Sequence, residues 1–213
     1  MAQLKEFGDW FHDYHEAFYY LRDFTEEEQG FYYQELNNRL SDIHPDLSFE
    51  FGFATDGKDA RFTLTANGRV EGMFYVSQLA RLAPKLPKWQ VFAFIHPKIC
   101  IKALKQGAEE TYRFQEVHLK PSHIIWSPVD MNLTTYKYEF LFHFKGLAYR
   151  DLPLSYEKTI DYLTIILLDL LGERIVSQQI QMIYYDDMYM DRSDWYRLDQ
   201  LPEFLTEGYL EDD

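Results

Sequence analysis

"RFTLTANGRVEGMFYVSQLARLAPKLPKWQVFAFI", residues 61–95, changes its hydrophobic period twice, and those changes decide the fold. Phe62 and Leu64 alternate with Arg61, Thr63 and Thr65, the two-residue period of a strand with one buried face. Asn67-Gly68 marks a turn, because both residues tolerate positive φ. From 70 to 83 the apolar positions Phe74, Val76, Leu79 and Leu82 predict a short helix. Ala83-Pro84 closes it, since proline disfavours helical geometry in the residue before it. Pro87 then leads into Trp89–Ile95, an apolar run of the kind expected for a strand buried on both faces.

Upstream, Leu47, Phe49, Phe51 and Phe53 alternate with polar residues and glycine, so 47–66 predicts a hairpin turning at TDGKDA. The order over 47–95 is strand, strand, helix, strand. It recurs over 123–185: a short strand His123–Trp126, an alternating strand Thr135–Lys145, a helix Ser155–Leu171 with a broad leucine face, and a long strand Glu173–Tyr185. Phe62 and Gly68 reappear 78 residues on as Phe140 and Gly146, with Leu64 over Phe142. Gly172 is the expected cap of the second helix.

Before these units, Leu4, Phe7, Phe11, Tyr14, Phe18 and Leu21 recur at helical spacing over 3–22. Thr25-Glu-Glu-Glu28 is a capping box that opens a second helix, with Phe31, Leu36 and Leu40 among its apolar positions, ending at His44-Pro45. Residues 97–122 have no legible period, and 198–205 predicts a short terminal helix. The fold class is therefore α+β: two strand-strand-helix-strand units forming a mainly antiparallel sheet with helices on one face, preceded by an N-terminal helical pair. A single domain over 1–213 is expected, subdivided at 1–46, 47–95, 123–185 and 186–213.

Composition narrows the functional classes. Aromatic residues reach 18%, which excludes disorder and supplies the residue types that anchor partners. The net charge of −14 is concentrated at the ends: 1–46 carries eleven acids and three bases, and 186–213 carries ten and two. Phosphate contacts need Lys and Arg, so the acidic ends argue against nucleic acid; they suit a basic protein partner or simple solubility, of which solubility is the commoner explanation. Cys100, the lone cysteine, excludes an intrachain disulfide and a cysteine-built metal centre. MAQLKEFGDWFHD lacks the pattern of a signal peptide, and the most apolar run, Tyr162–Leu171, is short and contains Asp169. The expectation is a soluble, cytoplasmic protein that spans no membrane.

The opening stretch also resembles a signature in uncharacterised bacterial proteins carrying a domain of unknown function. There, a strand ending in Asn-Gly or Asp-Gly is followed by a helix, then Ala-Pro, Leu-Pro, Trp and Ala-Phe. Here the matching residues are Asn67-Gly68, Ala83-Pro84, Leu86-Pro87, Trp89 and Ala93-Phe94, and Leu167–Glu173 resembles the Gly-Glu that follows a helix in those proteins. The likeness covers 62–95 and 163–205; it implies a fold and a bacterial source, with no catalytic residues.

Two clusters could carry chemistry. His12, His15 and Glu16 share a helix face, the weak candidates for a metal site, although the histidines stand three apart rather than in a His-Glu-x-x-His pattern. Tyr184, Tyr185, Asp186, Asp187, Tyr189 and Asp191 combine aromatic and acidic groups, as a surface for a basic partner would. His96, His143 and Glu173 are isolated titratable groups. No nucleophile elbow, phosphate-binding glycine loop or dinucleotide fingerprint occurs, and no cofactor is implied. Three functions remain open: a non-enzymatic acidic protein-binding protein, as a toxin-neutralising immunity protein would be; an enzyme of unrecognised type with a site between sheet and N-terminal helices; or a structural or regulatory homo-oligomer subunit.

Overall fold

The helical period gives way to the strand period at His44, whose extended backbone caps the preceding helix while its N–H still bonds Leu40 O. The computed structural model describes residues 2–53, 59–114, 117–145, 155–185 and 194–207. The chain divides into two compact units, Met1–Ile95 and His96–Asp213, each with its own hydrophobic core.

In the first unit, helix α1 (Ala2–Tyr19) ends in a 3-10 turn, and α2 (Glu26–Ile43) begins at the expected capping box. The Thr25 hydroxyl accepts from the Glu28 amide at 3.3 Å, and the Glu28 carboxylate accepts from the Thr25 amide at 2.9 Å. Strands β1 (Ser48–Gly52), β2 (Ala60–Thr65) and β3 (Trp89–Ala93) form one sheet in that order, with α3 (Val70–Leu82) connecting β2 to β3. β1 and β2 are antiparallel, with Phe51 opposite Phe62; β3 runs parallel to β2, with Val91 opposite Phe62. Leu4, Phe7, Phe11 and Phe18 of α1 join that core, and Phe11 stacks on Phe62 at 4.5 Å between ring centroids. Such aromatic pairs add about 0.5–1.5 kcal/mol to the burial itself.

The second unit opens with the stretch that had no period: α4 (Ile101–Lys105) and a small hairpin of β4 (Tyr112–Phe114) and β5 (Val117–Leu119). β6 (Ile124–Asn132) and β7 (Lys137–Phe144) are antiparallel, placing Trp126 opposite Phe142, with a register shift beside Pro128. A proline that cannot donate to a ladder belongs at such a bulge. Helices α5 (Tyr156–Leu171) and α6 (Glu173–Gln179) lead to β8 (Ile180–Tyr185), parallel to β7. β9 (Tyr196–Arg197) pairs with β6, and α7 (Leu201–Glu207) follows. Both units thus repeat one topology, an antiparallel strand pair followed by a helical crossover to a parallel third strand.

The α+β class and the leading helical pair are as expected, and four details differ. The strands lie in a three-stranded, a two-stranded and a four-stranded sheet instead of one sheet. Of the run Trp89–Ile95, only Trp89–Ala93 is strand; it lies at the sheet edge, half-buried over Val91–Ala93, while Phe94 and Ile95 follow it and are buried. Residues 173–179 are helical: Gly172, at φ 80° and ψ 152°, stops α5 in a region open only to glycine, and a new helix starts beyond it. Strand alternation begins only at Ile180. Finally, Phe31 and Phe74, counted among the apolar positions of their helices, are 61% and 63% exposed.

Candidate functional site

The segment without a sequence period builds a pocket of about 440 Å³ within the second unit. Its position rests on Asp169, near the end of α5. The backbone carbonyl of Asp169 accepts from the amides of Lys98 and Ile99 at 2.7 and 2.9 Å. Its carboxylate pairs with Lys98 Nζ at 3.0 Å and accepts from the Tyr112 hydroxyl at 2.7 Å. One residue thereby fixes both the entering loop and β4.

The opposite side of the segment is fixed by a helix end. Gly107, at φ +63°, donates to Leu104 O at 3.1 Å, and Ala108 donates to Ala103 O at 2.9 Å. That is a Schellman closure, with glycine where the left-handed residue must be. It brings Ala103 and Ala108 into the pocket wall beside Ile99 and Pro121. Lys120 reinforces the turn by donating to Gly107 O at 2.6 Å. Beyond the turn, Glu109 Oε1 accepts from the Ser122 amide at 2.8 Å, while Glu109 Oε2 is buried and has no hydrogen-bond partner among the described residues. Burial pushes the Glu109 carboxyl up, but bonds from the Ser122 hydroxyl and amide, with the Lys120 charge, outweigh it and hold the group below its ordinary value. Cys100 lines the same pocket with an exposed thiol.

None of these residues was singled out as a site by the sequence. Its one usable signal was Gly107 following Leu104-Lys105-Gln106, the composition of a helix end. The residues that were singled out fall elsewhere. His12 and His15 stand on the outer part of α1, with ring centroids 5.8 Å apart. His15 Nδ1 bonds the His12 carbonyl, and His12 Nδ1 meets Asp13 at 3.3 Å. Glu16 is exposed one turn on. Among the described residues, no group of three or more His, Cys, Asp or Glu is placed to hold a metal ion.

Of the acidic–aromatic cluster, the Tyr184 hydroxyl donates to Glu139 Oε2 at 2.8 Å, a bond that raises the phenol above its ordinary pKa. Tyr185 is buried against Phe144 in the core. Asp186, Asp187, Tyr189 and Asp191 lie outside the described residues. Glu173 is fully buried at the start of α6, His143 is buried 6.0 Å from the Trp195 ring, and His96 is exposed. Burial separates Glu173 from exposed His96.

A second surface is acidic and aromatic together. On α2, exposed Phe31 has Glu27 one turn before it and Glu35 one turn after it, so the three share a face. Tyr14 of α1 and Tyr33 of α2 are further exposed rings, as is Tyr20 in the turn after α1. No described helix is long and apolar enough to cross a membrane. Comparison with protein-family models, curated proteins and solved structures finds no match to this chain.

Proposed function

We propose that the protein is a non-enzymatic binding protein for a basic protein partner, with the helical pair α1–α2 as its docking face. A toxin-neutralising immunity protein is the biological form this would take. The observation that carries the reading is Phe31, 61% exposed and set between Glu27 and Glu35 on one helix face. An exposed aromatic is a typical hot-spot anchor, and flanking carboxylates select a cationic partner and speed its approach. The charge of the segment supports the same partner, with eleven acids against three bases in residues 1–46.

The test is affinity capture from the source cells with the wild-type chain and with Phe31→Ser, Glu27→Lys/Glu35→Lys. The captured protein is then purified and titrated. A basic partner whose binding weakens at least tenfold in each variant, and weakens with added salt, supports the reading. An acidic partner, or equal binding by the variants, overturns it. Self-association of the chain through the same face, seen by light scattering as a dimer lost in Phe31→Ser, overturns it in favour of a homo-oligomer.

A further inference from the structure

We infer that α3 is a self-association helix, whose outer face binds the same face of a second copy of this chain, antiparallel, about a two-fold axis. This goes beyond the α1–α2 docking face and does not depend on it. Helix α3 buries Gly72, Val76 and Leu79. At about 3.6 residues per turn, the opposite face carries Val70, Glu71, Phe74, Gln78, Arg81 and Leu82. Val70, Phe74 and Leu82 are exposed, and so are Glu71 and Arg81. Three large apolar side chains on one exposed helix face form a patch, where a single one would need no explanation.

The charges on the face select the occupant. Glu71 stands in the first turn of α3 and Arg81 in the last, so the face is neutral, unlike the acidic face of α1–α2. Arg81 donates to Gln78 Oε1 at 2.6 Å, which keeps the guanidinium on this face. A basic or an acidic partner satisfies one of the two charges and opposes the other. A second copy satisfies both. A two-fold axis at the level of Val76 brings Glu71 level with Arg81 of the second copy, and Arg81 level with its Glu71. The same axis sets Phe74 level with Gln78, and Val70 with Leu82. The two Phe74 residues then stand about 6 Å apart along the helices, close enough for their rings to pack between axes about 8–10 Å apart. Antiparallel pairing also places the positive end of each helix dipole beside the negative end of the other. A contact confined to one helix face belongs with the small transient interfaces, below about 1,200 Å² in total, so the dimer is weak, with a micromolar dissociation constant.

The experiment is sedimentation equilibrium of the full chain up to about 1 mM, the weak end of measurable association. A monomer–dimer equilibrium is expected. Phe74→Ser weakens it at least tenfold, at an exposed position that leaves the core of the first unit intact. Glu71→Arg and Arg81→Glu each set like charges level with one another at both ends of the helix pair, and each alone weakens the dimer at least tenfold. Mixed in equal amounts, these two variants restore opposite charges at both ends and form a heterodimer within about threefold of the wild-type affinity. Adding Phe74→Ser to both abolishes that rescue. Phe31→Ser, on the other helical face, leaves the wild-type dimer unchanged. The inference is overturned by a chain that stays monomeric throughout, by wild-type association in Phe74→Ser, by no heterodimer from the mixed charge variants, or by a dimer lost in Phe31→Ser.

Discussion

Strands β2 and β7 occupy the same place in two copies of one topology, yet they are covered by different means. Phe62 and Leu64 of β2 correspond to Phe140 and Phe142 of β7, and all four are fully buried. In the second unit the crossover helix does the covering: α5 buries Leu163, Ile166, Leu167, Leu168, Leu170 and Leu171. The crossover helix of the first unit is shorter and buries only Gly72, Val76 and Leu79. There, α1 contributes its aromatic stripe, and Phe11 takes the position over Phe62. Connectivity is shared while the filling is free, because cores tolerate different side chains of suitable total volume.

Removing the matched aromatic from each strand breaks the comparison most severely. Phe62→Ala and Phe140→Ala are each expected to cost about 3–5 kcal/mol, read by urea unfolding. Hydrogen exchange adds the sharper readout: protection falls first in the unit that carries the substitution. Loss of protection across both units together in either variant would show that the two cores unfold as one.

A smaller and unlike effect is expected at the two crossover glycines. Gly72 tolerates no Cβ for reasons of space, since one would stand 2.7 Å from the Ala66 Cβ. Gly172 tolerates none for reasons of backbone, at φ 80° and ψ 152°. Each alanine variant is expected to lose about 1–3 kcal/mol by thermal unfolding. Adding Ala66→Gly restores much of the loss at Gly72, where space is the cause, and nothing at Gly172.

The smallest effect belongs to the capping box of α2, which the crossover helix of the second unit lacks: α5 starts at Ser155, with Lys158 where a reciprocating glutamate would stand. Thr25→Ala is expected to cost about 1 kcal/mol, read by urea unfolding. The bonds Glu28 accepts from the Thr25 amide and hydroxyl lower its folded-state pKa. A depressed carboxylate contributes above its unfolded pKa, about 4.3, and the contribution is lost as pH falls through the lower folded value. The protection of amides at the start of α2, referred to the intrinsic exchange rate at each pH, therefore falls on acidification below about pH 4, and that pH dependence disappears in Thr25→Ala. An unchanged pH profile in that variant would remove Glu28 from the account.

These elements show which physics is local. The capping box, the hairpin of Phe49, Phe51, Phe62 and Leu64, and the crossover over 70–82 were legible because each rests on residues within one turn or one register. The helix 173–179 was not, since Ile175 and Val176 suit a strand, and only the backbone of Gly172 starts a new helix there. The exposure of Phe31 and Phe74 was not legible, because helical spacing cannot say whether anything packs against a face. The pocket was invisible for a related reason. Asp169 meets Lys98 and Tyr112 across long stretches of chain, and no periodicity encodes that meeting.

Strand β3 has a consequence for the unfolded chain as well. Trp89-Gln-Val-Phe-Ala is short, aromatic and β-branched, uncharged, and lies at a sheet edge, the composition that templates intermolecular stacking when exposed. Lys85 and Lys88 stand just before it, and Pro97 and Lys98 just after. Charges and a proline at both ends of such a run act as gatekeepers against aggregation. The residues that bound this strand in the native sheet therefore also oppose its stacking on another chain before that sheet has formed.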